Sequence, residues 1–452
     1  MLAKNQVIEL EIESISHEGD GIARHEGVVV FIPMTAAGDR IRAKIVKVEK
    51  RFAYAIVQEI LIPSRHRDYP GCQAYSQCGG CGLRHISYTH ELEIKSRWVS
   101  DNLSRLGGIT IDVEPIIPSP LADRYRNKAQ YPIGISGGGL SAGFYARRSH
   151  RIVPVDDCVL HPEFFADICK TVLNFSQQYG IKPYNESTHF GVLRHIYLRH
   201  AQVTGQIMLC LVINSKKLPH EEELKQLIAE CHPEITTLSV NLNTERTNVV
   251  MGEKTYALIG DGYILDEICG IKVRISPHSF YQVNRGAAEI LYQHTLEYAD
   301  PSISDTLLDL YCGIGVIGLT MAHRVGQVIG VDAVPQSVKD AQFNASQNEI
   351  TNARFIKGDA AIAAKQLEKE GIRPDIVLLD PPRKGVEHDL IQCVADMRPR
   401  KIVYISCNSA TLARDCKLFE ALGYKLSRAR PVDLFPRTNH IETLSLLTNF
   451  SS

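Results

Sequence analysis

The sequence predicts an α/β protein whose C-terminal part forms a Rossmann-like, largely parallel sheet. From about residue 275, apolar runs typical of buried strands alternate with segments of helical spacing. A glycine-rich turn that contains Gly313 directly follows the strand predicted at residues 306–311. An acidic residue, Asp332, ends the next predicted strand. This combination of strand, glycine turn and acidic strand end is typical of folds that bind nucleotide-like cofactors.

Length and composition place the chain among ordinary globular proteins. Its 452 residues suffice for two or three domains, and 50 Lys plus Arg against 51 Asp plus Glu leave it near neutral. Any contact with nucleic acid therefore needs a local basic patch. We expect a cytoplasmic protein without membrane contact, because the N-terminus is polar and no run of about 18 apolar residues occurs. The 12 cysteines are too sparse for a disulfide scaffold.

The pattern along the chain predicts three domains. Residues 1–60 read as short strands with tight turns, which predicts a small, OB-like, five-stranded β-barrel. Residues 61–274 combine helical and strand patterns and predict a central α+β domain that contains a cysteine cluster. Residues 275–452 form the Rossmann-like domain. Strands are predicted within these domains at 7–13, 27–33, 39–48, 193–199, 207–213, 237–243, 306–311, 327–332, 375–380 and 401–406, and helices at 90–106, 218–231 and 337–347.

The glycine-rich turn alone fits either NAD or S-adenosylmethionine. Its glycines permit a sharp bend and close approach of a ligand to the backbone, and Asp332 is placed to bind ribose hydroxyls. Two features favour S-adenosylmethionine: Asp309 leads into the turn, and Asp380 opens a downstream Asp-Pro-Pro sequence. A turn without any ligand is disfavoured, because these residues all lie at predicted strand ends, where open α/β sheets bind ligands.

A thiol and a carboxylate in the C-terminal part predict chemistry on a pyrimidine. Cys407 follows the strand predicted at 401–406, and Glu442 follows a loop that can fold over the same site. A thiolate that adds to C6 of the ring makes C5 nucleophilic, and a carboxylate can then remove the C5 proton. Singly, such a cysteine is more often a buried apolar residue and such a glutamate is usually solvated. Together they predict methyl transfer to C5.

A second cysteine site lies in the predicted central domain. Cys72, Cys78 and Cys81 are closely spaced, with two glycines that let the backbone wrap an inorganic centre. Cys158 is the best candidate for a fourth ligand, and Cys169 is its competitor. From spacing alone, zinc and an iron–sulfur cluster both fit.

Three sequence segments together resemble the RNA 5-methyluridine methyltransferase family. They are Asp380-Pro381-Pro382-Arg383-Lys384-Gly385, Ser406-Cys407-Asn408 and His440-Ile441-Glu442-Thr443, and residues 279–284 match a fourth family segment. The resemblance implies an N-terminal TRAM domain that binds RNA, with Cys407 as nucleophile and Glu442 as the base. It implies that Phe280 lies near the target uracil, and that S-adenosylmethionine contacts Gln282, Tyr311, Gly313, Asp332 and Asp380.

The resemblance also implies a cluster and a substrate. Some family members carry a [4Fe-4S] cluster on a matching cysteine pattern, which implies Cys72, Cys78, Cys81 and Cys158 as ligands and a structural role. The TRAM-plus-cluster layout implies 23S rRNA as substrate, with tRNA as the alternative, and we expect a monomer. A non-catalytic iron–sulfur RNA-binding protein leaves Cys407 and Glu442 unused, and an NAD-dependent redox enzyme does not explain that pair.

A basic and aromatic region predicts where RNA binds. Arg124-Tyr125-Arg126-Asn127-Lys128 precedes Gln130-Tyr131, and Arg147, Arg148 and Arg151 follow closely. Cations can neutralise phosphates and aromatic rings can stack on unpaired bases. Because C5 is inaccessible within a stacked helix, we expect the target base to be flipped out or already unpaired.

Overall fold

The structure, a computed structural model, describes residues 2–450. Within them the strands form three sheets and one two-stranded hairpin. No helix within these residues is long and apolar enough to cross a membrane.

The N-terminal sheet has six strands in the order β1-β5-β6-β4-β3-β2. Buried and exposed residues alternate along β1, so its apolar side chains fill the core beneath the sheet. The predicted five-stranded closed barrel is corrected here, since no ladder within residues 2–450 joins β1 to β2. These strands follow each other along the chain and pair with β5 and β3 instead. The strands are β1 Val7–Glu11, β2 Ser14–Ile15, β3 Gly21–His25, β4 Val28–Ile32, β5 Arg40–Val48 and β6 Phe52–Ile62.

The second sheet is mixed, in the order β13-β12-β11-β10-β7-β8-β9. One face packs on two amphipathic helices through residues such as Tyr131 and Leu198. The other face, which includes Tyr197 and Met208, packs on residues of the C-terminal part. The helix α1 Tyr88–Asn102, extended by a π-turn to Gly107, precedes this sheet. Its elements are β7 Lys128–Ser136, β8 Gly139–Tyr145, β9 Ile152–Pro154, α2 Phe164–Gln178, β10 Leu193–His200, β11 Ile207–Ile213, α3 Glu221–Cys231, β12 Ile235–Leu242 and β13 Lys254–Ile259.

The third sheet has the order β18-β17-β16-β19-β20-β22-β21 and is reached through a hairpin and a helix. Strands β16 to β20 are parallel, whereas β22 runs antiparallel to both β20 and β21. The elements are β14 Ile264–Ile268, β15 Ile271–Ile275, α4 Arg285–Ala299, β16 Thr306–Leu310, α5 Val316–Met321, β17 Gln327–Asp332, α6 Pro335–Gln347, β18 Ala353–Lys357, α7 Ala360–Lys369, β19 Ile376–Leu379, α8 His388–Met397, β20 Lys401–Ser406, α9 Ser409–Ala421, β21 Tyr424–Val432 and β22 Glu442–Asn449.

The fully buried strands of this sheet explain its sequence pattern. Every residue of β19 is buried, because helices cover both faces of a parallel sheet. The strands predicted at 306–311, 327–332, 375–380 and 401–406 are present within one or two residues of those bounds. The carboxyl ends of β16, β17, β19 and β20 meet at one edge, which is where such sheets bind ligands.

Candidate active site

The thiol of Cys407 and the carboxylate of Glu442 stand at the ends of neighbouring antiparallel strands. The last pair between β20 and β22 is Ser406 opposite Thr443, so Cys407 and Glu442 occupy the next position on each chain. The structure therefore brings together two residues that are 35 positions apart in the sequence.

The surroundings of Cys407 keep its thiol protonated. The pKa of Cys407 is raised to about 12, first by burial and then by the carboxylates of Glu442 and Asp380, and Arg383 opposes this shift. Arg383 is thus a cation close enough to favour the thiolate. The side chain of Cys407 is partly exposed, so a substrate can reach its sulfur.

Glu442 is buried, with only 4% of its surface exposed. Burial raises the pKa of its carboxyl well above the usual value, Asp380 raises it further and Arg383 lowers it. Oxygen Oε2 is buried without a hydrogen-bond partner within the described residues. A carboxyl group with a raised pKa and a free oxygen is suited to take up a proton.

Two further acids lie at the ligand edge of the sheet. Burial raises the pKa of Asp380, which follows β19, to about 7. Burial raises the pKa of Asp309 in β16 to about 8, although its carboxylate accepts a hydrogen bond from the Gly318 amide at 3.1 Å. A cationic ligand at this edge would favour the ionised form of both acids.

The glycine turn and Asp332 form one hydrogen-bonded unit. The amide of Gly313 donates to Oδ2 of Asp332 at 3.0 Å, and the Val334 amide donates to Oδ1 at 2.8 Å. Tyr311 and Gly313 adopt positive φ values of 69° and 55°, which bend the chain sharply after β16. A carboxylate accepts about four hydrogen bonds, so Asp332 retains capacity for ribose hydroxyls.

The segment of Phe280 and Gln282 lies between the second and third sheets. Gln282 is 6% exposed, and its carbonyl accepts a hydrogen bond from the Asn127 side chain at 2.9 Å. Its side chain also hydrogen-bonds to Tyr292, whose pKa is raised well above the usual value by burial and then by Asp380. Phe280 is 60% exposed and is therefore available for contact with a substrate.

Sequence reasoning missed several residues that shape this site. Asn408 caps α9 by accepting from the Ala410 amide, and its amide nitrogen donates to the Arg383 carbonyl at 3.2 Å. The loop after β19 is thereby fixed to the residue next to Cys407. Tyr292, Arg383 and His440 were also given no role. Arg383, Asn408 and His440 lie inside the diagnostic segments, and that position was the signal available for them.

The segment before Glu442 is attached to the cysteine loop and to the N-terminal sheet. The amides of Gly82 and Leu83 both donate to the Arg437 carbonyl, at 3.0 and 3.1 Å. The Asn439 side chain donates to the Glu18 carbonyl at 2.7 Å. A Cβ atom on Gly82 would lie 1.7 Å from Oδ1 of Asn439, so a larger residue there would force the Asn439 side chain to move.

The four predicted cysteine ligands line one small cavity. Cys72, Cys78, Cys81 and Cys158 surround a volume of about 50 Å³. Burial raises the pKa of Cys81 to about 12 and that of Cys158 to about 11, so these thiols need a cation to become thiolates. The lining also includes Arg126 and His161. Cys169 does not line the cavity but packs in the core on α2.

The cysteine positions differ from those of a site for a single ion. Within residues 2–450, no three His, Cys, Asp or Glu side chains converge closely enough to hold one metal ion. Four sulfurs bound to one zinc each lie about 2.3 Å from it.

A groove of about 680 Å³ separates the N-terminal sheet from the segment before Glu442. Tyr54, Arg147, Arg148 and His440 are among its lining residues. The guanidinium of Arg148 lies 5.9 Å from the Tyr54 ring centroid. Of the predicted basic residues, Arg147 and Arg148 thus face the groove, whereas Arg124 is paired with Asp157 at 2.6 Å.

The fold and the site define a class, the S-adenosylmethionine-dependent RNA methyltransferases. The chain matches the tRNA (Uracil-5-)-methyltransferase family over residues 236–450 and the TRAM domain over residues 3–57. An uncharacterized RNA methyltransferase of Halalkalibacterium halodurans is 42% identical, with 98% of this chain and 97% of the relative covered. One from Listeria innocua is 40% identical, with 99% of each covered. The chain belongs to the RNA uracil-5-methyltransferase family and carries an N-terminal TRAM domain.

A solved structure supports the same class. The Pyrococcus abyssi tRNA (uracil-54, C5)-methyltransferase, in complex with S-adenosyl-L-homocysteine, is similar with a TM-score of 0.78 and 25% identity. The similarity covers 97% of this chain and 99% of that structure. The predictions of a methyltransferase fold, a TRAM domain, an RNA substrate and S-adenosylmethionine are confirmed at this level.

Proposed function

We propose that this enzyme methylates C5 of uridine in RNA through a covalent bond between Cys407 and C6 of the base. The observation that carries the proposal is the register of β20 and β22, which places Cys407 next to Glu442. Neither side chain makes a contact that would explain it as a structural residue. Oε2 of Glu442 has no hydrogen-bond partner within the described residues, and Cys407 is partly exposed.

The proposed reaction has three steps. The Cys407 thiolate adds to C6, and the electrons of the C5–C6 double bond move toward C5 and O4. C5 then attacks the methyl group of S-adenosylmethionine, whose methyl–sulfur bond breaks and leaves S-adenosylhomocysteine. Glu442 removes the C5 proton, the double bond re-forms and the Cys407 thiolate leaves.

The remaining residues bind and orient the reactants. We assign Gln282, Tyr311, Gly313, Asp332 and Asp380 to the cofactor and Phe280 to the uracil. The buried acids Asp309 and Asp380 favour a cofactor with a positive charge at the edge of the sheet. Arg383 favours the Cys407 thiolate and the ionised form of Glu442.

We further propose a [4Fe-4S] cluster held by Cys72, Cys78, Cys81 and Cys158. Each of the four thiols would bind a different iron of the cluster, and the proposal is supported by the position of all four around one cavity. The positive charge of the irons would favour thiolate ligands, and the Arg126 guanidinium in the cavity lining would offset the net negative charge of the ligated cluster. Protein purified without oxygen should contain about four irons per chain. Cys158→Ser should lose them and Cys169→Ser should retain them, whereas zinc in place of iron would contradict the proposal.

We propose 23S rRNA as the substrate. We also propose that the chain has three domains, at residues 1–60, 61–274 and 275–452, and that it acts as a cytoplasmic monomer. The combination of a TRAM domain with four cysteines around a cavity supports the ribosomal substrate. A tRNA is the second candidate, because the similar Pyrococcus abyssi structure is a tRNA (uracil-54, C5)-methyltransferase.

Two experiments test the proposed function. Enzyme incubated with a 5-fluorouridine transcript should form an adduct that mass spectrometry locates at Cys407, and Cys407→Ala should bind cofactor without forming it. An adduct elsewhere, or turnover by Cys407→Ala, contradicts the mechanism. Mapping 5-methyluridine in RNA from cells that lack the protein then decides the substrate, by loss from either 23S rRNA or tRNA.

A further inference from the structure

Two cations stand directly opposite each other on the second sheet. In the antiparallel pairing of β7 with β10, Lys128 is opposite Arg199. Directly opposed residues point to the same face, and like charges in this position are destabilising. Their neighbours Ala129 and Leu198 point to the other face, into the core beneath α2 and α3. Lys128 and Arg199 therefore face the C-terminal part of the chain.

No carboxylate among residues 2–450 is paired with either of these two side chains. Neither Lys128 nor Arg199 forms an ion pair within residues 2–450. Arg199 is 1% exposed, donates to the Ser279 carbonyl at 3.3 Å and leaves Nε without a partner. Burial, then Arg199 and Arg126, lower the pKa of Lys128 to about 7. A buried charge without a counter-ion is costly, so the pair calls for an anion.

Arg194, a second buried arginine on β10, is held by hydrogen bonds typical of a structural role. Arg194 is 5% exposed, and its two terminal nitrogens donate to the carbonyls of Asn243, Glu245 and Thr247 at 2.8 to 3.1 Å. Its guanidinium also stacks on the Tyr184 ring at 4.2 Å. Arg199 also lies over a ring, that of Tyr197, at the longer distance of 5.8 Å, and it has one carbonyl acceptor, so it is held by fewer hydrogen bonds than Arg194.

The position of the pair relates it to the substrate. Ser279, which Arg199 contacts, is followed by Phe280, and that side chain is 60% exposed. Asn127 is next to Lys128. Its side-chain nitrogen donates to the Gln282 carbonyl at 2.9 Å, and its backbone amide donates to the Val283 carbonyl at 2.8 Å. Lys128 itself keeps part of its surface exposed. An anion that reaches Lys128 thus lies beside the segment assigned to the uracil and the cofactor.

We propose that Lys128 and Arg199 together bind one backbone phosphate of the RNA, next to the target uridine. The inference rests on the proposed RNA substrate and adds a contact that fixes the strand beside Phe280. A phosphate fits because it offers several acceptor oxygens to an ammonium and a guanidinium at once. Arg126, which lines the cysteine cavity, is not needed for the contact.

The test measures binding rather than turnover, so it stays informative even if methylation fails. The probe is a fluorescein-labelled single-stranded oligouridylate, titrated with the holoenzyme between about 50 and 200 mM salt. Lys128→Met and Arg199→Met should each lower the slope of log affinity against log salt by about 0.7, the value for one phosphate on a single strand. The double variant should lose no more than this, since both side chains hold the same phosphate.

Controls separate this role from a structural one. Arg194→Met removes a buried arginine from the same strand and should leave the slope unchanged, whereas Lys128→Arg and Arg199→Lys should preserve it. Lys128→Gln, at a partly exposed position, provides a measurement if Arg199→Met does not fold. An unchanged slope in the Lys128 variants overturns the proposal. The proposal is also overturned if these variants keep the slope but bind S-adenosylmethionine at least about tenfold more weakly. That result would identify the carboxylate of the cofactor as the anion that the pair binds.

Discussion

Arg383 donates from Nη2 to Nδ1 of His440 at 2.9 Å, which joins the loop after β19 to the segment before Glu442. Burial, then Arg383, lower the pKa of His440 to about 4, so the ring is neutral at physiological pH and Nδ1 can accept. The same guanidinium lowers the pKa of both Cys407 and Glu442. His440 thus orients a cation that acts on both Cys407 and Glu442.

Replacing Arg383 should slow the addition of the thiolate. Arg383→Met removes the charge that favours ionised Cys407, and a pKa increase of one unit reduces the thiolate fraction by about tenfold. The rate of adduct formation with 5-fluorouridine RNA should fall by at least about that factor, with S-adenosylmethionine affinity little changed. Lys384→Met is the matched control, since Lys384 is exposed and paired with Glu387. Equal rates in wild type and Arg383→Met would remove Arg383 from this role.

The rate of adduct formation should rise with pH. Burial raises the pKa of Cys407 to about 12, so the thiol is protonated near neutrality and its thiolate fraction grows about tenfold per pH unit. Stopped-flow quenching of the reaction between about pH 6 and pH 9 measures the profile. A flat profile over that range would contradict a thiol whose pKa lies above it.

Glu442→Gln should trap the covalent intermediate. The amide keeps the shape of the side chain but cannot take the C5 proton, so elimination of the Cys407 thiolate stops. A protein–RNA band should accumulate on denaturing gels with unmodified uridine RNA and S-adenosylmethionine. Glu420→Gln, on the exposed side of α9, should turn over normally. Release of methylated RNA by Glu442→Gln at the wild-type rate would assign the base elsewhere.

A buried ion triad stabilises the chain segment that leads to Glu442. Lys95 lies 2.8 Å from both Glu91 and Asp433, and all three side chains have no exposed surface. Lys95→Met leaves Asp433 buried without its cation and Glu91 with the Arg437 guanidinium at 3.9 Å, so the free energy of unfolding should fall by about 3–5 kcal/mol. Lys365→Met, which breaks an exposed pair with Asp389, should change it by less than about 1 kcal/mol. Chemical denaturation measures the free energy of unfolding of both variants. A similar decrease in Lys95→Met and Lys365→Met would contradict the stabilising role of the triad.

The sequence predicts the parts of the site that local patterns determine. Cys407, Asp332 and Asp380 follow apolar strands, and parallel strands bring their carboxyl ends to one edge, so their proximity could be expected. The pairing of Lys128 with Arg199 depends on the register between strands that are far apart in sequence, and no local pattern encodes it. The contact between Arg383 and His440 likewise needs the fold of two separate loops. The open N-terminal sheet differs from the predicted barrel because β2 is only two residues long.

The close contact between Gly82 and Asn439 should make Gly82→Ala inactive while leaving the fold intact. Gly82 directly follows Cys81, a proposed cluster ligand, and a Cβ atom there would displace the Asn439 side chain that holds the segment before Glu442. A shift of about 1 Å in a reacting group can cost a hundredfold in rate, so turnover should fall by about that factor. Gly286→Ala adds a Cβ atom 3.5 Å from the nearest atom and is the matched control.

A compensating change distinguishes the clash from other causes. Asn439→Ala removes the amide that the new Cβ atom would meet, so Gly82→Ala combined with Asn439→Ala should be more active than Gly82→Ala alone. Iron content and the unfolding temperature should be similar in all three variants. Loss of iron from Gly82→Ala would place the effect at the cysteine cavity and not at Asn439. The same conclusion follows if the fold-loss of turnover in the double variant equals the product of the fold-losses in the two single variants.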